Sequence, residues 1–133
     1  MTGNRIVIID DQVVRDRLAS YIFRELPEGY EVFAPTTFAE ALDRETYRGV
    51  GAVITDTDLK KWPEAEAVNY NGPELLRRLY NEGKLEPDVP IIPVSVYDNI
   101  DYWEEPHRDN FHLKSDIVEI AQTLLALLGL KSQ

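Results

Sequence analysis

Cysteine is absent from the 133-residue chain, which excludes a disulfide framework, a thiolate nucleophile and a zinc–sulfur centre. Basic charge is scarce: 14 Lys and Arg stand against 24 Asp and Glu, a formal net charge of −10. A chain without a basic excess lacks the electrostatic grip that phosphate backbones require, so nucleic acid is a poor first partner. Long apolar runs are missing too. Ile6-Val7-Ile8-Ile9 falls far short of the roughly 20 residues a bilayer demands, and Asp10-Asp11 follows at once, which spoils a signal peptide. Internal repeats, low-complexity tracts and linkers are also wanting. What is present is 44% apolar and 10% aromatic residues, enough to build a core. The expectation is one soluble, acidic, cytoplasmic domain over residues 1–133, with no membrane association and no separate output domain.

The apolar pattern alternates between two periods. Residues 5–9 form a continuous apolar run, as in a strand buried on both faces of a parallel sheet. Over residues 13–26 the spacing turns helical: Val14, Leu18, Tyr21, Ile22 and Leu26 recur at threes and fours, and Pro27-Glu28-Gly29 supplies turn chemistry. A short strand is expected at 30–34. Thr36 or Thr37 can then cap a helix whose Glu40 stands in capping-box spacing, with Phe38, Ala41 and Leu42 facing inward. A second buried strand, 52–56, ends on Asp56. Residues 58–71 show no convincing apolar period and read as a long loop. Pro73 at a first-turn position opens a helix to about residue 81, with Leu75, Leu76 and Leu79 as its buried stripe. A strand follows at 90–96. The polar, aromatic stretch 98–110, interrupted by Pro106, allows only short helix. Residues 111–114 read as a last strand. Asp116 then caps a final helix whose apolar face is Ile117, Ile120, Leu124, Leu127 and Leu128. Five strands alternating with helices imply an α/β, doubly wound parallel sheet covered on both faces.

The polar residues that terminate the buried strands carry the chemistry. They are Asp10 and Asp11, then Asp56, then Ser95, then Lys114. In an open α/β sheet the carboxyl ends of the strands face one crevice, the usual ligand site of the architecture. Each residue has a plainer explanation, since Asp11, for one, can simply cap the first helix. Together they form a cluster that a structural role does not explain. Two like charges about 4 Å apart repel by roughly 4 kcal/mol at an effective dielectric near 20. Three carboxylates would therefore take up protons or recruit a cation. Lys114 offsets one charge, and a hard divalent ion such as Mg²⁺ suits a site of few protein ligands and several waters. A carboxylate beside such an ion and a lysine is a workable phosphoryl acceptor.

These residues resemble the receiver domain of two-component response regulators. The resemblance rests on Asp10-Asp11 after the first strand, Asp56 after the third, Ser95 after the fourth and Lys114 after the fifth. Phe111 stands three residues before the lysine, where the family has its switch aromatic. The match spans essentially the whole chain. It implies a flavodoxin-like five-stranded sheet of order 2-1-3-4-5. It implies that Asp56 is phosphorylated in a Mg²⁺-dependent, self-catalysed reaction with slow autodephosphorylation rather than conventional turnover. Asp10, Asp11, Asp56 and the backbone carbonyl of Asp58 would hold the metal. Ser95 would hydrogen-bond the phosphoryl group and Lys114 would pair with it. The implied partners are a sensor histidine kinase or phosphotransfer protein and a downstream protein. The added charge of about −1.5 to −2 would bias a two-state surface.

The sequence departs from the family pattern at several points. Gly72 lies sixteen positions after Asp56, about twice the family's usual interval, so residues 59–70 contain an insertion. It carries Lys60, Lys61, Trp62 and Tyr70, and reads either as a solvated loop with one anchored aromatic or as a lid or docking element. Ser115 stands where the family has a cis-bonded proline, so a trans bond is expected. Val96 is bulkier than the family's small residue and narrows access to Asp56. The short Ser95–Lys114 interval truncates or remodels the fourth helix. Two other readings stand beside the receiver. A receiver-like interaction module that takes no phosphate would use Tyr102 and Trp103 as its contact patch. A haloacid-dehalogenase-type phosphatase would use the Asp-x-Asp spacing of Asp56 and Asp58, although that family places its acidic pair last rather than first. On the final helix, Val118, Leu125 and Leu130 lie off the main apolar face, marking either a homodimer surface or a broadly buried helix.

Overall fold

The computed structural model describes residues 3–12, 15–59, 61–63 and 71–130. Val13 and Val14, expected to open the first helix, and Lys60 and Tyr70 of the insertion lie outside the described residues. Five strands form one sheet in the order β2-β1-β3-β4-β5: β1 Arg5–Ile9, β2 Glu31–Phe33, β3 Val50–Asp56, β4 Ile91–Ser95 and β5 His112–Leu113. All pairings are parallel. This is the sheet expected from sequence, with β2, β4 and β5 each trimmed at both ends and β3 starting two residues earlier. In register, Ile9 lies beside Thr55 and Asp56 beside Val94, with Ser95 beside Leu113. The carboxyl ends of β1, β3, β4 and β5 are thereby level.

Alternation along the central strands divides the core in two. Ile6, Ile8, Ala52, Ile54, Ile92 and Val94 face one side. There they meet α1 (Arg15–Glu25) through Leu18 and Ile22, and α4 (Ile117–Leu127) through Ile120, Ala121, Leu124 and Leu125. Val7, Ile9, Val53 and Ile91 face the other side. Their partners are Phe38 and Ala41 of the short helix α2 (Phe38–Ala41) and Leu75, Leu76 and Leu79 of α3 (Gly72–Asn81).

Helix starts follow local side-chain chemistry. Thr37 caps α2 by accepting from the Glu40 amide, while the Glu40 carboxylate accepts from the backbone N–H and hydroxyl of Thr36, so the two threonines share the capping box. Asn71 caps α3 by accepting from the Glu74 amide, with Pro73 in the first turn. Two expectations change. Asp116 precedes α4 but its side chain makes no capping bond, because its backbone (φ −90°, ψ 55°) is not the extended conformation that turns a cap inward. Leu125 is buried whereas Leu127 is 37% exposed, so the inner stripe of α4 is rotated toward the face counted as secondary. Of the three residues off the expected face, Leu125 is buried and Leu130 packs on the core, while Val118 remains exposed.

The irregular segments are also packed. Between β4 and β5 the chain makes two 3-10 turns, Ile100–Tyr102 and His107–Asn110, in place of a fourth helix. Trp103 between them is 1% exposed, so it belongs to the core, and of the supposed contact pair only Tyr102 reaches solvent. In the insertion, Leu59 and Trp62 are both buried and Asp58 bridges to Asn71. The described part of the insertion is thus anchored at two side chains rather than one.

Candidate functional site

Parallel pairing sets Asp10, at the end of β1, beside Asp56, at the end of β3, and the turn after β1 adds Asp11. All three side chains are buried, and one carboxylate oxygen from each lies within 4.8 Å of the others. Lys114, just past β5, completes the group. Its Nζ lies 2.9 Å from Asp56 Oδ2, to which it donates a hydrogen bond, and 2.9 Å from Asp10 Oδ2 as an ion pair. It also donates to Gln12 Oε1 at 3.3 Å. The Lys114–Ser115 bond is trans, as expected for a non-proline residue, and the lysine still reaches both carboxylates.

The remaining oxygens are divided between partners and none. Asp10 Oδ1 accepts from the Gln12 amide at 2.9 Å. Asp11 Oδ2 accepts from the Lys61 amide. Asp11 Oδ1 is buried and accepts no hydrogen bond among the described residues. A buried carboxylate oxygen without a donor is costly unless a cation faces it.

Electrostatics point the same way. Burial pushes the Asp56 carboxyl up to about 7; the Lys114 ammonium opposes the rise and the Asp10 charge adds to it. Burial also raises Asp11, partly countered by the Lys61 amide and reinforced by Asp10. For Lys114, burial works against the ammonium, but Asp56 and Asp10 together hold its pKa above the ordinary lysine value. One lysine does not neutralise three carboxylates. Three hard oxygen donors, one of them orphaned among the described residues, fit a small divalent cation with retained waters.

Ser95 is buried at the end of β4; its Oγ accepts from the Tyr97 amide at 3.2 Å, and its carbonyl accepts from the Lys114 amide at 2.8 Å. The Ser95 and Lys114 positions are thus tied by the backbone. Phe111 is partly buried and packs on the aromatic side of the core. The Asp58 side chain is exposed, and Asp58 stands outside the three-carboxylate cluster. A cavity of about 370 Å³ opens beside Asp10 and Lys114, lined also by Gln12, Arg17, Val96 and Ser115. Val96, 53% exposed, forms part of its wall.

Four contributors were not anticipated from sequence. Gln12 accepts from Lys114 directly after the acid pair. The Lys61 amide holds Asp11. Thr57, next to Asp56, donates through Oγ1 to the Val94 carbonyl at 3.0 Å and accepts from the Trp103 indole N–H at 2.8 Å. Gly72 admits no side chain: a Cβ there would lie 2.3 Å from the Asp56 carbonyl and 2.9 Å from the Trp103 ring. Thr57 could have been suspected from its position beside Asp56. Gln12 could have been suspected likewise from its place directly after the acid pair; the Lys61 amide and Gly72 had no local signal of this role.

No protein-family model matches the chain, and no curated protein matches it in sequence. Solved structures match it along nearly its full length. It resembles the receiver domain of the hybrid histidine kinase CckA (25% identity, 93% of this chain and 98% of that one, TM-score 0.63). It also resembles the chemotaxis response regulator CheY4 of Vibrio cholerae (18%, 96% and 100%, TM-score 0.67). A third likeness is to the signal receiver domain of an HD domain-containing protein from Pseudomonas fluorescens (19%, 97% and 89%, TM-score 0.69). Among the described residues no helix is long and apolar enough to cross a membrane. Sheet order, parallel pairing and these likenesses agree: the chain has the flavodoxin-like fold of response-regulator receiver domains.

Proposed function

We propose that this chain is a phosphoryl-accepting receiver in which Asp56 is the acceptor. The observation that carries the reading is the buried group Asp10, Asp11, Asp56 and Lys114 at the level carboxyl ends of a 2-1-3-4-5 sheet. An Asp56 carboxylate oxygen attacks the donor's phosphorus, the donor's bond to phosphorus breaks, and the leaving group departs with that electron pair. The product is an acyl phosphate on Asp56. Asp10, Asp11, Asp56 and the Asp58 backbone carbonyl would hold Mg²⁺, which supplies positive charge to the phosphoryl oxygens. Lys114 is already paired with Asp56 and stays close enough to balance the incoming charge. Ser95 donates its hydroxyl to a phosphoryl oxygen. Phe111, beside the aromatic core, is the residue whose packing changes with the state of the site.

The cavity beside Asp10 and Lys114 has Arg17 at its edge, a cation that an anionic donor would meet on entering. The donor is a sensor histidine kinase, a phosphotransfer protein or a small acyl phosphate. Output passes to a downstream protein by surface contact. Intact-mass measurement after incubation with acetyl phosphate and Mg²⁺ tests the reading. One phosphoryl adduct is expected on the wild type and none on Asp56→Asn. Equal labelling of both proteins, or none on either, rejects it. The second outcome favours a contact module that takes no phosphate, for which the wall formed by Val96 is the supporting feature.

A further inference from the structure

A hydrogen bond joins the described part of the insertion to the acid pair, and its donor is backbone. The Lys61 N–H donates to Asp11 Oδ2, while the Lys61 side chain is exposed. Two buried side chains fix this amide in place. Leu59 is 0% exposed and Trp62 5%, and the Trp62 ring tilts against Phe38 of α2 at 6.3 Å and 53°. The Trp62 amide donates to the Leu59 carbonyl at 3.1 Å, closing the turn on which the Lys61 N–H is carried. The consequence for Asp11 is asymmetric. One oxygen is held by the insertion; the other, Oδ1, is buried without a hydrogen-bond donor among the described residues, in a cluster with Asp10 and Asp56.

We infer that Leu59, Lys61 and Trp62 form a clamp that orients Asp11 for cation binding, with Trp62 as its positioning residue. This rests on the reading that the acid cluster holds a divalent cation. Groups that hydrogen-bond a metal-ligating carboxylate fix its orientation, and their loss typically weakens metal affinity about 10–100-fold. The insertion thereby makes cation affinity depend on a segment that lies outside the strand-end residues. Since coupling is reciprocal, cation binding in turn holds the clamp closed.

The clamp is tested by calorimetric titration of the full chain with Mg²⁺. Lys61→Ala keeps the amide and should bind as the wild type does. Lys61→Pro removes the N–H, and Trp62→Ala removes the anchor; each should weaken binding about ten-fold or more. Trp62→Phe should recover most of the loss. Wild-type affinity in Lys61→Pro, or an equal loss in Lys61→Ala, overturns the clamp while leaving the cation site standing. A wild type that shows no saturable Mg²⁺ binding overturns both. Where Lys61→Pro does not fold, hydrogen exchange at the Lys61 amide of the wild type decides. Slower exchange on adding Mg²⁺ supports the clamp, and unchanged exchange overturns it.

Discussion

The two faces of the sheet are built from different materials. On the side of α1 and α4 every buried core residue is aliphatic, and nearly all of them lie on regular strands and helices. On the other side four aromatics are buried, Phe38, Tyr47, Trp62 and Trp103, and the two tryptophans come from irregular segments. A regular helix covers a sheet with a stripe of modest side chains, because its periodicity brings one to the surface every turn. A short 3-10 turn or a loop presents few residues, so each must bring more area, and large rings do this. The rings also carry polar handles. Through the Trp103 indole and the turn at Trp62, the aromatic side is hydrogen-bonded to residues at the acid site. On the aliphatic side α1 and α4 meet the sheet mainly through apolar packing.

That contrast predicts that damage to the two faces will be felt differently. Trp103→Ala should cost about 3–5 kcal/mol in a denaturant titration and also weaken Mg²⁺ binding, since Thr57 and Gly72 beside the site lose their packing partner. Leu124→Ala should cost about 2–5 kcal/mol and leave Mg²⁺ affinity unchanged. Equal effects on cation binding would erase the distinction. Trp103→Phe keeps an aromatic ring of smaller size, loses the bond to Thr57, and should cost less than Trp103→Ala, about 1–3 kcal/mol.

A smaller effect is expected from pH. The Asp56 carboxyl moves from an ordinary value of 3.8 to about 7 in the folded chain, so the folded state holds that proton more tightly. The stabilisation from protonated Asp56 is full below the unfolded value and is lost as pH rises through about 7. Without metal, the Tm of the wild type should therefore fall relative to Asp56→Asn as pH rises between these values. Added Mg²⁺ should restore the wild type most at the alkaline end. A pH-independent difference between the two proteins would show that burial does not perturb Asp56.

Val96→Ala should have the smallest effect. Val96 is half-exposed at the cavity wall, so stability should shift by no more than about 0.5 kcal/mol. Access to Asp56 should widen, and the rate of labelling by acetyl phosphate should rise modestly. An unchanged rate would place the access barrier elsewhere.

The strands and their terminal residues were legible in the sequence for a physical reason. A strand buried on both faces must be continuously apolar, so the first polar residue after it marks the sheet's edge. Asp10 and Ser95 are found in this way and Asp56 one residue past Thr55, whereas Lys114 follows a short, half-buried strand that contains His112; parallel pairing does the rest. The bond between Trp103 and Thr57 joins residues 46 positions apart, and no periodicity announces a pairing of that kind. The Lys61 contact is harder still, because a backbone donor is independent of residue type. Leu125 and Leu127 exchanged roles because both lie within one turn of a helix rich in leucine, where spacing alone does not fix which way the helix is rotated.

The identity of the acceptor is tested most directly by locating the phosphoryl group. Borohydride reduces an aspartyl phosphate to homoserine, and peptide mass mapping then locates the converted residue. After acetyl phosphate and Mg²⁺, conversion should occur at position 56 alone. Conversion at Asp10, Asp11 or Asp58 with Asp56 intact would contradict the assignment of the acceptor and of the site built around it.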